Sequence, residues 1–282
     1  MMDISKLFQF KQDQEFSKLL LHDKQVDLTI AALELARDDQ PELQFEQVKI
    51  WIRQRACELS GKVALANDDE TLVRCFVDCL AKQHGLAGNT VCYHQPEGSY
   101  LNHVIETKQG LPIALSLIYM AVGNELGIEI QGVAAPMQFL VRYESQSGPL
   151  FIDPYSSGKI YNEKECIIHL AELGDFSRDV LLRLLKPATH REIIVRMLMN
   201  LKRIHEERED FPKAWNVQRR LCALNPLSNA HRKDLAALSF KTKKLGLAAD
   251  LLTGCLKSCP ESEQLDIKLM LQKVHAELAQ WN

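Results

Sequence analysis

Apolar and polar positions along the chain change their period twice. Over roughly the first ninety residues apolar side chains recur every three or four positions, the spacing of a helix with one buried face. Val26, Ile30 and Leu33 mark one stripe. A longer one opens just after Pro41 and runs through Val48, Trp51 or Ile52, Arg55 or Ala56, Leu59 and Val63. The third, with Leu72, Cys75, Phe76, Cys79 and Leu80, follows the capping run Asp68-Asp69-Glu70 and stops at Gly85. Three helices are expected, with Phe45 and Trp51 read as core and nothing that demands chemistry.

From Leu86 to Pro96 the composition turns to Gly, Asn, Thr and Pro, a loop, followed by a short amphipathic segment over Glu97–Glu106. The window Gly110–Val122 is the most apolar in the chain. A helix from about Pro112 to Leu126 is predicted, with proline at its first position and Gly127 just past its end; being apolar nearly all round, it is buried. The period then falls to two. Ile128–Val133, Phe139–Tyr143 after the break at Pro136, and Leu150–Ile152 closed by Asp153-Pro154 read as three strands. Short joins make them antiparallel, so the expected fold class is α+β: mostly helical, with a central helix packed on a small antiparallel sheet.

Beyond a linker at Lys186-Pro187-Ala188-Thr189 the strand signal disappears and an internal repeat takes over. Asn225-Pro226 and Cys259-Pro260 close two equivalent segments with prolines thirty-four residues apart, and Ala214 and Ala248 keep the same interval. That is the period of a tetratricopeptide helix-turn-helix. Leu198 and Leu201, then Leu235 and Ala236, fall at packing positions of the first helices, although Arg232 stands where a large apolar residue is usual. A closing helix is expected over about Glu263–Leu278. The resulting plan is a first domain over 1–186, with its core at about 96–160, and an all-α tetratricopeptide-like solenoid over 190–282.

Composition narrows the function. A net charge of −3 over 282 residues leaves no basic excess for a phosphate backbone, and Lys241-Thr242-Lys243-Lys244 reads as a solvated helix end, so no nucleic-acid partner is expected. Met1–Phe8 lacks the order of a signal peptide, and no run approaches the roughly 18 apolar residues of a membrane span. The expected location is cytoplasmic, away from membranes. There the eight cysteines, including Cys75-x3-Cys79 and Cys255-x3-Cys259, serve as reduced packing thiols. The nine histidines form no HxxxH or HExxH pattern, so neither a metal nor another cofactor is expected.

Ser99-Tyr100-Leu101-Asn102, Gly110-Leu111-Pro112-Ile113 before the apolar helix, Gly127-Ile128, Pro136 with Phe139-Leu140-Val141-Arg142, and Ile152-Asp153-Pro154 with Gly158 occur in this order. In order and spacing they resemble the bacterial SirB-type family over nearly the whole chain. The resemblance implies a transglutaminase-like core, papain-like in its chemistry, followed by tetratricopeptide repeats. It also implies where catalysis would sit: a Cys at the start of the central helix, a His on the following strand and an Asp on the next. Thiolate attack on an amide carbonyl needs all three.

Transferred position by position, that pattern falls on Pro112, fifteen residues before Gly127, on Gln138 and on Asp153. Proline has neither a thiol nor an N–H to offer an oxyanion, and glutamine cannot take up and release a proton near neutral pH. Asp153 before Pro154 then reads as a turn-organising residue. The expectation is a non-enzyme whose degenerate groove, with Tyr100, Asn102, Ser116, Gln138 and Asp153 as candidate lining residues, binds a protein or peptide, alone or with the repeat tail. The alternative is a cysteine-dependent amidase, protease or transglutaminase with a non-standard nucleophile. Cys92, near His94 and His103, is the first candidate.

Overall fold

Residues 7–280 are described here by a computed structural model. The first six residues of the N-terminal stretch read above for a targeting signal therefore lie outside the described residues. The chain divides into two compact units, one of residues 24–197 and one joining the N-terminal residues up to Asp23 with Leu198 onward.

Helix α1 (Gln14–Leu20) belongs to the second unit and is taken up with it. The 24–197 unit opens with α2 (Leu28–Arg37), started by the Asp27 carboxylate accepting from the Ile30 N–H at 3.0 Å. In α3 (Phe45–Ala64) Val48, Ile52, Ala56 and Leu59 are buried, which is the stripe expected from the sequence. Helix α4 (Asp69–Val77) is capped by Asp68 and runs directly into a π-helical turn, Asp78–Gln83, before Gly85 ends it at φ 72°.

The segment expected to be a loop is more structured than its composition implies. It holds β1 (Ala87–Gly88) and two 3₁₀ turns, Thr90–His94 and Pro96–Ser99, ahead of α5 (Leu101–Thr107). Strand β2 (Gln109–Gly110) pairs in parallel with β1. Central helix α6 (Pro112–Glu125) follows, with ten of its residues buried, among them Ile113, Ala114, Leu117, Ile118, Tyr119 and Val122. It packs against α2, α3 and α5 and against the sheet that follows, so it is the hub of this unit. Pro112 starts it without loss, because the first helical N–H has no partner within the helix.

The sheet is an antiparallel meander of β3 (Ile130–Val133), β4 (Leu140–Ser145), β5 (Gly148–Asp153) and β6 (Lys159–Asn162). Its register pairs Val141 with Ile152 and Phe151 with Tyr161. The sequence reading had three strands. The fourth, Lys-Ile-Tyr-Asn, is too short to alternate visibly and runs straight into the capping box Asn162–Glu165 of α7 (Glu163–Ala171). Val133, Leu140, Phe151 and Tyr161 form one cluster with Cys166 and Leu170 of α7 and with Leu181 and Leu185 at α8 (Arg178–Leu184). These two helices thus cover one face of the sheet.

The boundary between units falls inside α9 (His190–Glu207), past the linker at Lys186–Thr189. In the second unit α10 (Phe211–Leu224), α11 (Asn229–Lys241), α12 (Leu245–Leu256) and α13 (Glu261–Ala279) each pack on the next. Ala214 and Ala248 are fully buried, as are Leu198, Leu235 and Ala236.

The N-terminal residues, placed by the sequence reading in the first domain, pack instead on α10. Asp13 pairs with Arg220 at 2.8 Å, the Leu7 carbonyl accepts from Arg219, and the Arg220 guanidinium lies 4.8 Å from the rings of both Phe10 and Phe16. A contact between residues 207 positions apart leaves no periodic trace in a sequence.

Candidate functional site

The first turn of α6 sets the geometry of the site. Leu111 is extended at the N-cap with no side-chain cap, and Pro112 follows, buried. One turn on, Ser116 is fully buried and donates from Oγ to the Phe139 carbonyl at 3.2 Å. That bond latches the helix to the entry of β4 and occupies the hydroxyl, so Ser116 is not poised as a nucleophile.

Gln138 follows a turn in which its own N–H donates to the Ala135 carbonyl and Met137 takes the left-handed conformation at φ 57°. Its amide Nε2 donates to Nε2 of His169, on α7, at 3.0 Å, while its Oε1 is buried without a protein partner. The His169 ring stacks on Tyr161 with centroids 4.9 Å apart and planes 14° from parallel. An imidazole is therefore present beside position 138, but it comes from another element. Its Nε2 accepts from the Gln138 amide. Nothing in the sequence pointed to His169, because the contact joins a strand entry to a helix thirty-one residues later.

Asp153 ends β5 and is buried. Its carboxylate accepts from the Tyr155 N–H at 3.0 Å, the Ser156 N–H at 3.2 Å and Ser156 Oγ at 2.6 Å, which closes a tight turn. The hydrogen bonds of Gln138 and Asp153 run to these partners and not to each other.

A match to the transglutaminase-like superfamily covers residues 46–199, more than half of the chain. This chain belongs to the transglutaminase-like superfamily. Two relatives match it over most of its length. A UPF0162 protein of Xylella fastidiosa (strain Temecula1) is 31% identical over 248 residues, covering 87% of this chain and 88% of that one. Protein SirB1 of Salmonella typhimurium is 24% identical, covering 83% and 86% respectively, which places the chain in the SirB-type branch. A crystal structure of menin, at 11% identity and a TM-score of 0.37 over 89% of this chain and 69% of that one, is too distant to define the fold.

Within a transglutaminase-like frame, the remaining residues singled out from the sequence take other places. Tyr100 donates from its hydroxyl to Asp39 at 2.7 Å, and burial, reinforced by that carboxylate, pushes its pKa up. Asn102 donates to the Gln40 side chain at 2.8 Å. Both pin α5 to the segment that follows α2. Cys92 is buried on the turn Thr90–His94, where His94 is exposed, so the two side chains face different surroundings. Burial pushes the Cys92 thiol up, away from the thiolate form a nucleophile needs. A cavity of about 570 Å³ lies beside the later turns of α6, lined by Leu117, Met120, Asn124, Arg53 and His190 among others; Pro112, Gln138 and Asp153 do not line it.

Two further features escaped the sequence reading. Tyr119, on α6, has a fully buried hydroxyl with no protein partner, and burial drives its pKa up. Tyr119→Phe removes a desolvated, unpaired group and is expected to raise stability by about 1 kcal/mol in denaturant titrations. A fall of similar size would show that the hydroxyl is hydrogen-bonded in solution.

The second is a cluster of Glu58, Cys79 and His84, whose ligand-capable atoms all lie within 4.8 Å of one another. Cys79 was read only as a packing thiol beside Cys75. His84 Nε2 lies 2.7 Å and the Cys79 sulfur 3.9 Å from the same Glu58 oxygen.

Proposed function

We propose that this chain is a non-catalytic protein-interaction or regulatory member of the transglutaminase-like superfamily. The observation that carries the reading is the first turn of α6, where a buried proline fills the position the resemblance gives to a nucleophile. It is supported by Gln138, whose amide is engaged with His169, and by Asp153, whose three hydrogen bonds serve its own turn.

The partner is a protein or peptide. Met137 is 70% and Ile168 62% exposed, so an exposed apolar side chain precedes each member of the Gln138–His169 pair in the chain, which supports a peptide-binding role. The helices α9–α13 are proposed as a short tetratricopeptide-like tail. In support, the buried alanines Ala214 and Ala248 keep the thirty-four-residue interval. A reducing cytoplasm suits eight cysteines that are all free thiols.

A thiol-reactive probe separates this reading from the Cys92 alternative. Because burial raises the Cys92 pKa, less of it is thiolate at any given pH. The exposed Cys57 is expected to label first, and Cys92 slowly and without selectivity, at mildly acid pH. Fast, selective modification of Cys92 under those conditions would favour a cysteine-dependent enzyme.

A further inference from the structure

We propose that Glu58, Cys79 and His84 form a zinc-binding site that joins α3 to the π-helical turn after α4. The three residues come from two elements and would not meet in a regular helix. In an α-helix, residues five apart are separated by about 1.4 turns and point in different directions. Here the His84 N–H donates to the Cys79 carbonyl at 2.9 Å, so that one wide turn separates the pair. Both side chains then reach the carboxylate of Glu58 on the neighbouring helix. Such turns are uncommon and concentrate at functional sites.

The donor set selects the ion. A thiolate, an imidazole and a carboxylate suit zinc, whereas magnesium and calcium take oxygen ligands. Zinc sits about 2.0–2.3 Å from each ligand, so atoms spread over at most 4.8 Å need only small side-chain rotations to enclose it. Glu58 is exposed, which leaves its side chain room for that adjustment. Its second oxygen is held by Arg55 at 2.8 Å, which leaves one oxygen for the metal. The Trp51 ring lies edge-on to His84, with centroids 6.1 Å apart, and restrains the imidazole. Three protein ligands leave a fourth position for water.

Without the ion, the thiol and the imidazole Nε2–H both donate to one Glu58 oxygen, so two protons stand where the cation would. Cys79 is a free thiol whose sulfur donates to Glu58. Zinc forms a bond to sulfur as the S–H bond breaks, and the thiol proton leaves to solvent. His84 binds through Nε2 after its ring proton moves to Nδ1. Uptake therefore releases one proton from Cys79.

The test uses the full-length protein, stripped of metal by a chelator and titrated with Co²⁺ and then Zn²⁺. One Co²⁺ per chain is expected to give a thiolate-to-metal charge-transfer band in the near ultraviolet, abolished by Zn²⁺. Cys79→Ser should lose the band, and Glu58→Gln and His84→Gln should each weaken binding roughly 100-fold or more. Cys259→Ser should change nothing, and proton release on Zn²⁺ binding should drop by one in Cys79→Ser. Glu58 is exposed, so its variant guards against a loss of binding through misfolding. An undiminished band in Cys79→Ser, unchanged affinity in Glu58→Gln and His84→Gln, or no band in the wild type would overturn the proposal.

Discussion

Asp13→Ala is expected to destabilise the unit built from the N-terminal residues and α9–α13 by about 3–5 kcal/mol. Arg220 is 1% exposed, and its guanidinium pairs with Asp13 at 2.8 Å beside the rings of Phe10 and Phe16. Removing the carboxylate breaks this buried pair from one side, which costs more than the pair itself contributes. The order of effects follows. Arg220→Met removes the buried charge, keeps most of the apolar volume and leaves an Asp13 closer to solvent, so it should cost less. The double replacement Asp13→Ala with Arg220→Met should recover part of the loss. Amide hydrogen exchange across α10 and denaturant midpoints would measure all three. An Asp13→Ala protein with wild-type protection in α10 would mean that the N-terminal residues do not anchor there.

The second large effect is expected at Asp153. Asp153→Ala removes the acceptor of two amide N–H groups and the Ser156 hydroxyl in a turn where Asp153 is buried and Ser156 is exposed, at a cost of about 2 kcal/mol. Asp153→Asn keeps an acceptor oxygen and should lose less than half as much. The comparison separates two roles for this residue. An aspartate that orients a catalytic histidine is felt in the rate while the fold is spared; one that closes a turn is felt in stability. Equal midpoints for Asp153→Ala and the wild type in urea would contradict the structural role.

The elements that carry their own periodicity were legible in the sequence. Val48, Ile52, Ala56 and Leu59 lie on one face because a helix repeats every 3.6 residues, and they are the buried residues of α3. The central helix was legible too, since a window apolar on all sides has no place at a surface. Strand β6 was not, because four residues cannot establish an alternation. The π-helical turn was hidden for a different reason: it shares its composition with an α-helix and differs only in which carbonyl each N–H finds. The same blindness concealed the Glu58–Cys79–His84 cluster and the Gln138–His169 contact. Both depend on which side chains tertiary packing brings together, while the substituted positions Pro112 and Gln138 could be read off the chain directly.

The first turn of α6, with Pro112 at the position of a nucleophile, is expected to support no acyl transfer. The most direct test is ammonia release from glutamine-containing peptides, with and without a primary amine, by the full-length protein. The account predicts no release above buffer, and no change in Cys92→Ser or Asp153→Asn. Turnover in the wild type that is lost on replacing Cys92 would contradict it and return the chain to cysteine-dependent catalysis.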